Sequence, residues 1–258
     1  MCKKAILVVS FGTSHNDTRE KTIDQIEQDI NNCYPEYRVY RAYTSKMIIK
    51  ILKHRDNIHV FTVSEAMVQM KLDGMEEIIV QPTHVLNGIE NDNMIADVIY
   101  HKDDFKTIKF GTPLLHSTDD YKRVVETLAK ELPVNEKNQA LIFMGHGTEH
   151  YTNTSYTALD YMFKARGYDN VYVATVEAYP EITDIMKQLK GKKYNKVLVT
   201  PFMIVSGEHA KNDMAGEEEN SWRFQLEKEG FDVSCILKGL GEYKEIRSIF
   251  IDHIKMAI

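Results

Sequence analysis

NQALIFMGHGTEH, residues 138–150, is an unbroken apolar run of strand length closed by Gly145-His146-Gly147. A continuous apolar run of this length suits a strand covered on both faces, as in a parallel sheet. Glycine on either side of His146 lets the chain turn sharply and places the imidazole at the sheet edge. The same pattern stands near the start as KKAILVVSFGTS, residues 3–14, so that Phe11 faces His146, Gly12 faces Gly147 and Thr13 faces Thr148. Working outward, VYRAYTS (39–45) parallels VYVATVE (171–177), setting Ser45 against Glu177. VQPTHVLNGIE (80–90) parallels VTPFMIVSGEH (199–209), setting Glu90 against His209. Three matches in one order imply an internal duplication.

Short β-rich runs alternate with amphipathic stretches. Strands are expected at 4–10, 37–43, 77–81 and 107–111, and again at 139–145, 170–175, 196–200 and 232–237. Helical patterns include 18–33, 64–72, 119–132, 155–166, 182–189 and 242–256. Such alternation predicts βαβ units. The expected fold is α/β: two similar lobes, each a four-stranded parallel sheet flanked by helices, with a cleft between them. The break is placed at Pro133, giving lobes 1–133 and 134–258.

The 258 residues carry 32 Lys+Arg against 38 Asp+Glu, a net charge of −6, and are 43% hydrophobic. An acidic balance without basic clusters interleaved with aromatics argues against a nucleic-acid partner. No apolar run reaches the roughly 18 residues a membrane span needs. Cys2, Cys33 and Cys235 are scattered, which fits a reducing compartment better than a disulfide framework. MCKKAILVVSFGTS reads as a first strand, not a secretory signal. The expected location is cytoplasmic, and an assembly of identical copies is compatible with the sequence.

In a parallel sheet, sites form beyond the carboxyl ends of the strands. His146, Glu177 and His209 each follow a strand of the second set, and the simplest doubly wound order flanks the His146 strand with the other two. Adjacent strands lie about 4.8 Å apart, so three neighbouring tips can meet at one ion. Two imidazoles and a carboxylate suit a borderline divalent metal. Asp213, four residues after His209, shares its face if a helical turn forms and can orient the imidazole. His150 is an alternative to His146. His84 and Glu90 are further candidates at first-lobe tips, and Met203 can line the site. Ser10, Phe11, Gly12 and Thr13 form a small-residue loop able to hold a carboxylate or phosphate. It lacks a Walker lysine and a G-x-G-x-x-G pattern, so no nucleotide is expected. Arg41, Tyr43, Thr44, Ser45 and Lys46 cluster after the second strand, as anion contacts or as a solvated loop. His253 reads as an ordinary surface histidine.

LVVSFGTS, RAYTSKMIIKIL, FMGHGTEH, VEAYPE and VSGEHAKNDMAG together resemble the anaerobic cobaltochelatases of the CbiK type, class II tetrapyrrole chelatases related to ferrochelatase. The resemblance runs through nearly the whole chain. It implies two α/β lobes around a flat macrocycle, and insertion of Co²⁺ into sirohydrochlorin without ATP on the oxygen-independent route to cobalamin. The family's metal-site residues fall on His146, Glu177 and His209. Ile89 departs from the pattern, standing where an acidic residue is common in NG-x-E, which leaves the first-lobe contacts open.

The implied chemistry couples ligand exchange to loss of two pyrrole protons, with His146 as base and Glu177 assisting. Iron or nickel insertion fits the same ligand set. Two readings from other classes remain: a non-catalytic metal- or tetrapyrrole-binding protein, and a hydrolase with a metal-activated water.

Overall fold

In the computed structural model, which describes residues 3–258, the apolar runs form two four-stranded parallel sheets. The first contains β1 (Lys4–Ser10), β2 (Arg38–Tyr43), β3 (Glu77–Pro82) and β4 (Thr107–Phe110) in the order β2-β1-β3-β4. The second contains β5 (Gln139–Gly145), β6 (Val171–Thr175), β7 (Lys196–Pro201) and β8 (Asp232–Cys235) in the order β6-β5-β7-β8. The inner strands β1 and β5 are buried almost throughout, as their unbroken apolar runs require. The edge strands β4 and β8 alternate exposed with half-buried residues and stop earlier than their β-branched composition implies.

The duplication extends to the register. Ser10 pairs with Tyr43 as Gly145 pairs with Thr175, and Val9 pairs with Pro82 as Met144 pairs with Pro201. Beyond the strands, Ser45 N–H donates to the Phe11 carbonyl (3.2 Å) as Glu177 N–H donates to that of His146 (2.9 Å). Gly12 and Gly147 both adopt positive φ, 100° and 88°, where a side chain is strained.

The helices are α1 (Asn16–Lys21), α2 (Ile23–Cys33), α3 (Lys46–Asp56), α4 (Val63–Leu72), α5 (Ile89–Tyr100), α6 (Thr118–Glu131), α7 (Thr154–Ala165), α8 (Ile182–Leu189), α9 (Trp222–Lys228) and α10 (Lys244–Ala257). The single helix expected over 18–33 is broken at Thr22, whose backbone leaves the helical region and whose N–H turns back to the Arg19 carbonyl.

The chain divides into two compact units: residues up to His116 together with Gly241–Ile258, and Ser117–Leu240. This differs from the expected boundary at Pro133 in two helices: α6 belongs with the second sheet and α10 with the first. The reason for α10 lies in its partners. Its Ile246, Ile249, Phe250 and Ile254 are buried, Tyr34 donates to the Ile251 carbonyl (2.9 Å), and Arg247 pairs with Asp29 (2.6 Å). His253 is buried rather than on the surface, and its Nδ1 donates to the Thr112 carbonyl (2.9 Å).

In the first unit, Leu7, Val9, Ala42 and Val80 pack against Ala66, Met67 and Met70 of α4 and Met94 and Val98 of α5. In the second, Ile142, Met144, Val197 and Val199 pack against Ile182, Ile185 and Leu189 of α8 and Trp222 and Leu226 of α9. These cores fix the sheets, so the loops at their carboxyl edges are held on a rigid base.

Candidate metal site

His146 follows the inner strand β5, Glu177 the neighbouring β6, and His209 the loop after β7 on the other side. One ligand atom from each lies within 4.8 Å of the other two. The two imidazoles meet edge to face with centroids 4.8 Å apart, and His146 Nδ1 lies 3.6 Å from Glu177 Oε2. An ion with bonds of about 2.1 Å spans ligands at most about 4.2 Å apart. The three groups are therefore near enough for side-chain rotation to bring them onto one cation. The side chains are 38%, 54% and 34% exposed, so the group is open to solvent, unlike a closed structural site.

Each position is enforced locally. A Cβ on Gly145 would stand 2.3 Å from the Tyr156 ring. Burial pushes the Tyr156 hydroxyl up to about 12, while the backbone N–H groups of Gly147 and His146 donate to its oxygen. Tyr156 thus holds the loop from beneath. A Cβ on Gly147 would stand 2.8 Å from the Ala178 backbone nitrogen, so the loops carrying His146 and Glu177 touch through a glycine. The Thr175 hydroxyl donates to the carbonyls of Ala178 and Pro180, closing the turn that carries Glu177.

His209 precedes a single π turn, Ala210–Met214, closed by Ala215 N–H on the Ala210 carbonyl (3.2 Å). Such turns gather at functional sites. Gly216 seals it, because a Cβ there would stand 2.3 Å from the Asn212 carbonyl oxygen. Asp213 Oδ2 accepts from His209 Nδ1 at 2.6 Å. His146 Nδ1 likewise donates to the Gly147 carbonyl (3.0 Å). Both bonds put the proton on Nδ1 and leave the lone pair on Nε2, an arrangement suited to metal binding through Nε2.

The remaining candidates separate. His150 caps a short turn through its Nδ1 and is not in the ligand group. Met203 packs half-buried against the second core. In the first unit Ser10 is 2% exposed, and its hydroxyl accepts from Thr83 (2.8 Å), tying the end of β1 to the residue that follows β3. Thr13 is buried, and its hydroxyl accepts from His15 N–H (3.2 Å). Gly12 lies against the Tyr43 ring, which would stand 2.5 Å from a Cβ there. Phe11, in contrast, is 42% exposed, and Glu90 is half-buried in the first turn of α5. His84 is buried with neither ring nitrogen hydrogen-bonded, and burial lowers its pKa to about 4. Arg41 is held by Glu27 (2.7 Å) and Asp24, which leaves it ill placed to meet an anion. No residue pattern signals the Tyr156 support: it sits at an ordinary core position of α7, and only the close approach of Gly145 reveals its part.

Two imidazoles and a carboxylate open at one edge of a parallel sheet make a donor set for a borderline divalent metal. Residues 4–258 match the family model for cobalt chelatase (CbiK), and the chain belongs to that family. It is 36% identical to a sirohydrochlorin cobaltochelatase of Salmonella typhimurium, over 99% of this chain and 97% of that protein. It is 31% identical to the sirohydrochlorin cobaltochelatase CbiKC of Nitratidesulfovibrio vulgaris, over 100% and 92%. SirB from Bacillus subtilis, solved with Fe³⁺, shares the fold with a TM-score of 0.68 at 13% identity, over 99% of this chain and 95% of that one.

Proposed function

We propose that this chain inserts Co²⁺ into sirohydrochlorin, with release of two protons and without a nucleotide. The observation that carries the reading is the convergence of His146, Glu177 and His209 in a member of the cobalt chelatase family. The cation docks on these three groups and keeps open positions. Two pyrrole nitrogens then replace protein ligands, and each loses its proton as it takes up the metal. His146 is the base and Glu177 assists, since imidazole and carboxylate both accept protons near neutral pH. Phe11 and Glu90 are the first-unit residues proposed to meet the macrocycle. The free thiols Cys33 and Cys235 suit a reducing, cytoplasmic setting; Cys2 lies outside the described residues.

Anaerobic incubation with sirohydrochlorin and Co²⁺, followed by absorption spectra, tests the activity. The wild type converts the free macrocycle to its cobalt complex. His146→Ala keeps its circular dichroism spectrum and loses insertion, whereas normal turnover by that variant removes His146 from the mechanism. Parallel reactions with Fe²⁺ and Ni²⁺ fix the metal preference, which imidazole and carboxylate ligands alone do not set.

A further inference from the structure

The two units differ in the crossover from their second strand to their third. Between β6 and β7 the second unit has one helix, α8, which buries Ile182, Ile185 and Leu189. Between β2 and β3 the first unit has two. Of these, α4 does the equivalent packing, burying Val63, Ala66, Met67 and Met70. The other, α3, is an addition that begins one residue after Ser45, the position paired with Glu177 in the duplication. It buries only Ile48 and Leu52, so core packing does not account for it.

Its exposed face has a distinct chemistry. The segment KMIIKILKHRD carries four Lys/Arg against one Asp in a chain whose net charge is −6. Lys46 and Lys50 are exposed one helical turn apart and enter no ion pair among the described residues. Beside them, also one turn apart, lie Met47 and Ile51, 68% and 36% exposed. Residues four apart on a helix neighbour one another at about 6 Å, so a cationic row runs alongside an apolar row. Arg55 is not part of it, being bound to Asp56 (2.7 Å) and to the Ser14 carbonyl.

We infer that α3 is a docking face for the macrocycle, with Lys46 and Lys50 pairing with its peripheral carboxylates and Met47 and Ile51 lying against its apolar rim. The inference rests on the chelatase reading, which supplies a substrate that is flat, apolar at its centre and ringed with carboxylates. A basic row draws such an anion to a protein that otherwise repels it, and raises its association rate at low salt.

The test uses the full chain and separates binding from turnover. Sirohydrochlorin is titrated without metal by its absorption change, and insertion kinetics are then measured at two salt concentrations. Lys50→Glu is compared with Lys228→Glu, an exposed lysine of α9 whose replacement changes the net charge equally. Lys50→Glu should raise Kd and KM for the macrocycle about tenfold at low salt, leave kcat and Co²⁺ affinity within about twofold, and weaken the salt dependence. Met47→Ser should raise KM at both salt concentrations. The inference is overturned if Lys46→Glu/Lys50→Glu retains wild-type Kd, or if Lys228→Glu raises it equally. It is likewise overturned if vesicles containing phosphatidylserine, and not the macrocycle, lose binding with these lysines. Wild type that binds the macrocycle but never inserts cobalt refutes the activity, while the Kd comparison still decides the role of α3.

Discussion

The contact between His209 and Asp213 carries information that the ligands alone do not. An imidazole in water distributes its proton over both nitrogens, and the 2.6 Å bond to Asp213 removes that freedom. Replacing Asp213 by Ala should lower Co²⁺ affinity about 10- to 100-fold, the usual cost of losing such a partner. The ¹⁵N resonances of His209 should change from the Nδ1–H tautomer toward a mixture while thermal stability is nearly unchanged. An unaltered tautomer would assign Asp213 to the surface. His84 supports a second prediction. Its folded pKa of about 4 lies below the ordinary 6.5. Between those values the unfolded chain binds a proton that the folded chain refuses. Stability from this group is therefore present above pH 6.5 and is lost as pH falls towards 4, by up to about 3 kcal/mol. Methionine occupies the repeat position, as Met203. His84→Met should flatten the fall in urea stability between pH 6.5 and 4.5 relative to wild type; parallel curves would mean that His84 protonates within the fold.

At the scale of elements, what the sequence disclosed follows from how each segment is buried. Strands covered on both faces, such as β1 and β5, leave unbroken apolar runs, and their tips could be aligned by inspection. With the tips came the three site residues, because neighbouring strands set the spacing between them. Helices with one clean apolar stripe, α6 and α8 among them, were equally legible. α3 was not among the helical patterns read from the sequence: it exposes Met47 and Ile51 and buries Ile48 and Leu52, so its apolar residues wrap the cylinder instead of forming a stripe. α5 escaped for the opposite reason, burying Asn91 beside Met94 and Val98 while exposing Ile99 and Tyr100. The π turn after His209 depends on the close approach of Gly216 to the Asn212 carbonyl, a contact that no periodicity encodes.

For the whole molecule, the feature hidden from sequence is which sheet each helix serves. The amphipathic pattern of α10 states that one face is buried, but not against what. Chain order suggested the second sheet; packing assigns the first, through α2, β3 and β4. The last residues of the chain therefore complete a unit that otherwise ends at His116. Ile246, Ile249, Phe250 and Ile254 are each 0% exposed. Burying an aliphatic or aromatic side chain contributes about 1.5–3 kcal/mol, so these four together are worth about 6–12 kcal/mol. That is comparable with the entire stability of a typical domain, about 5–15 kcal/mol. Deleting residues 244–258 should consequently unfold the first unit and spare much of the second. Limited proteolysis followed by mass spectrometry should find early cuts within residues 1–116, and fragments spanning 117–240 should survive longer. Co²⁺ binding should persist in the truncated protein, because His146, Glu177 and His209 all belong to the second unit. Early cutting confined to 117–240 would show instead that α10 stabilises the sheet that carries the candidate metal site.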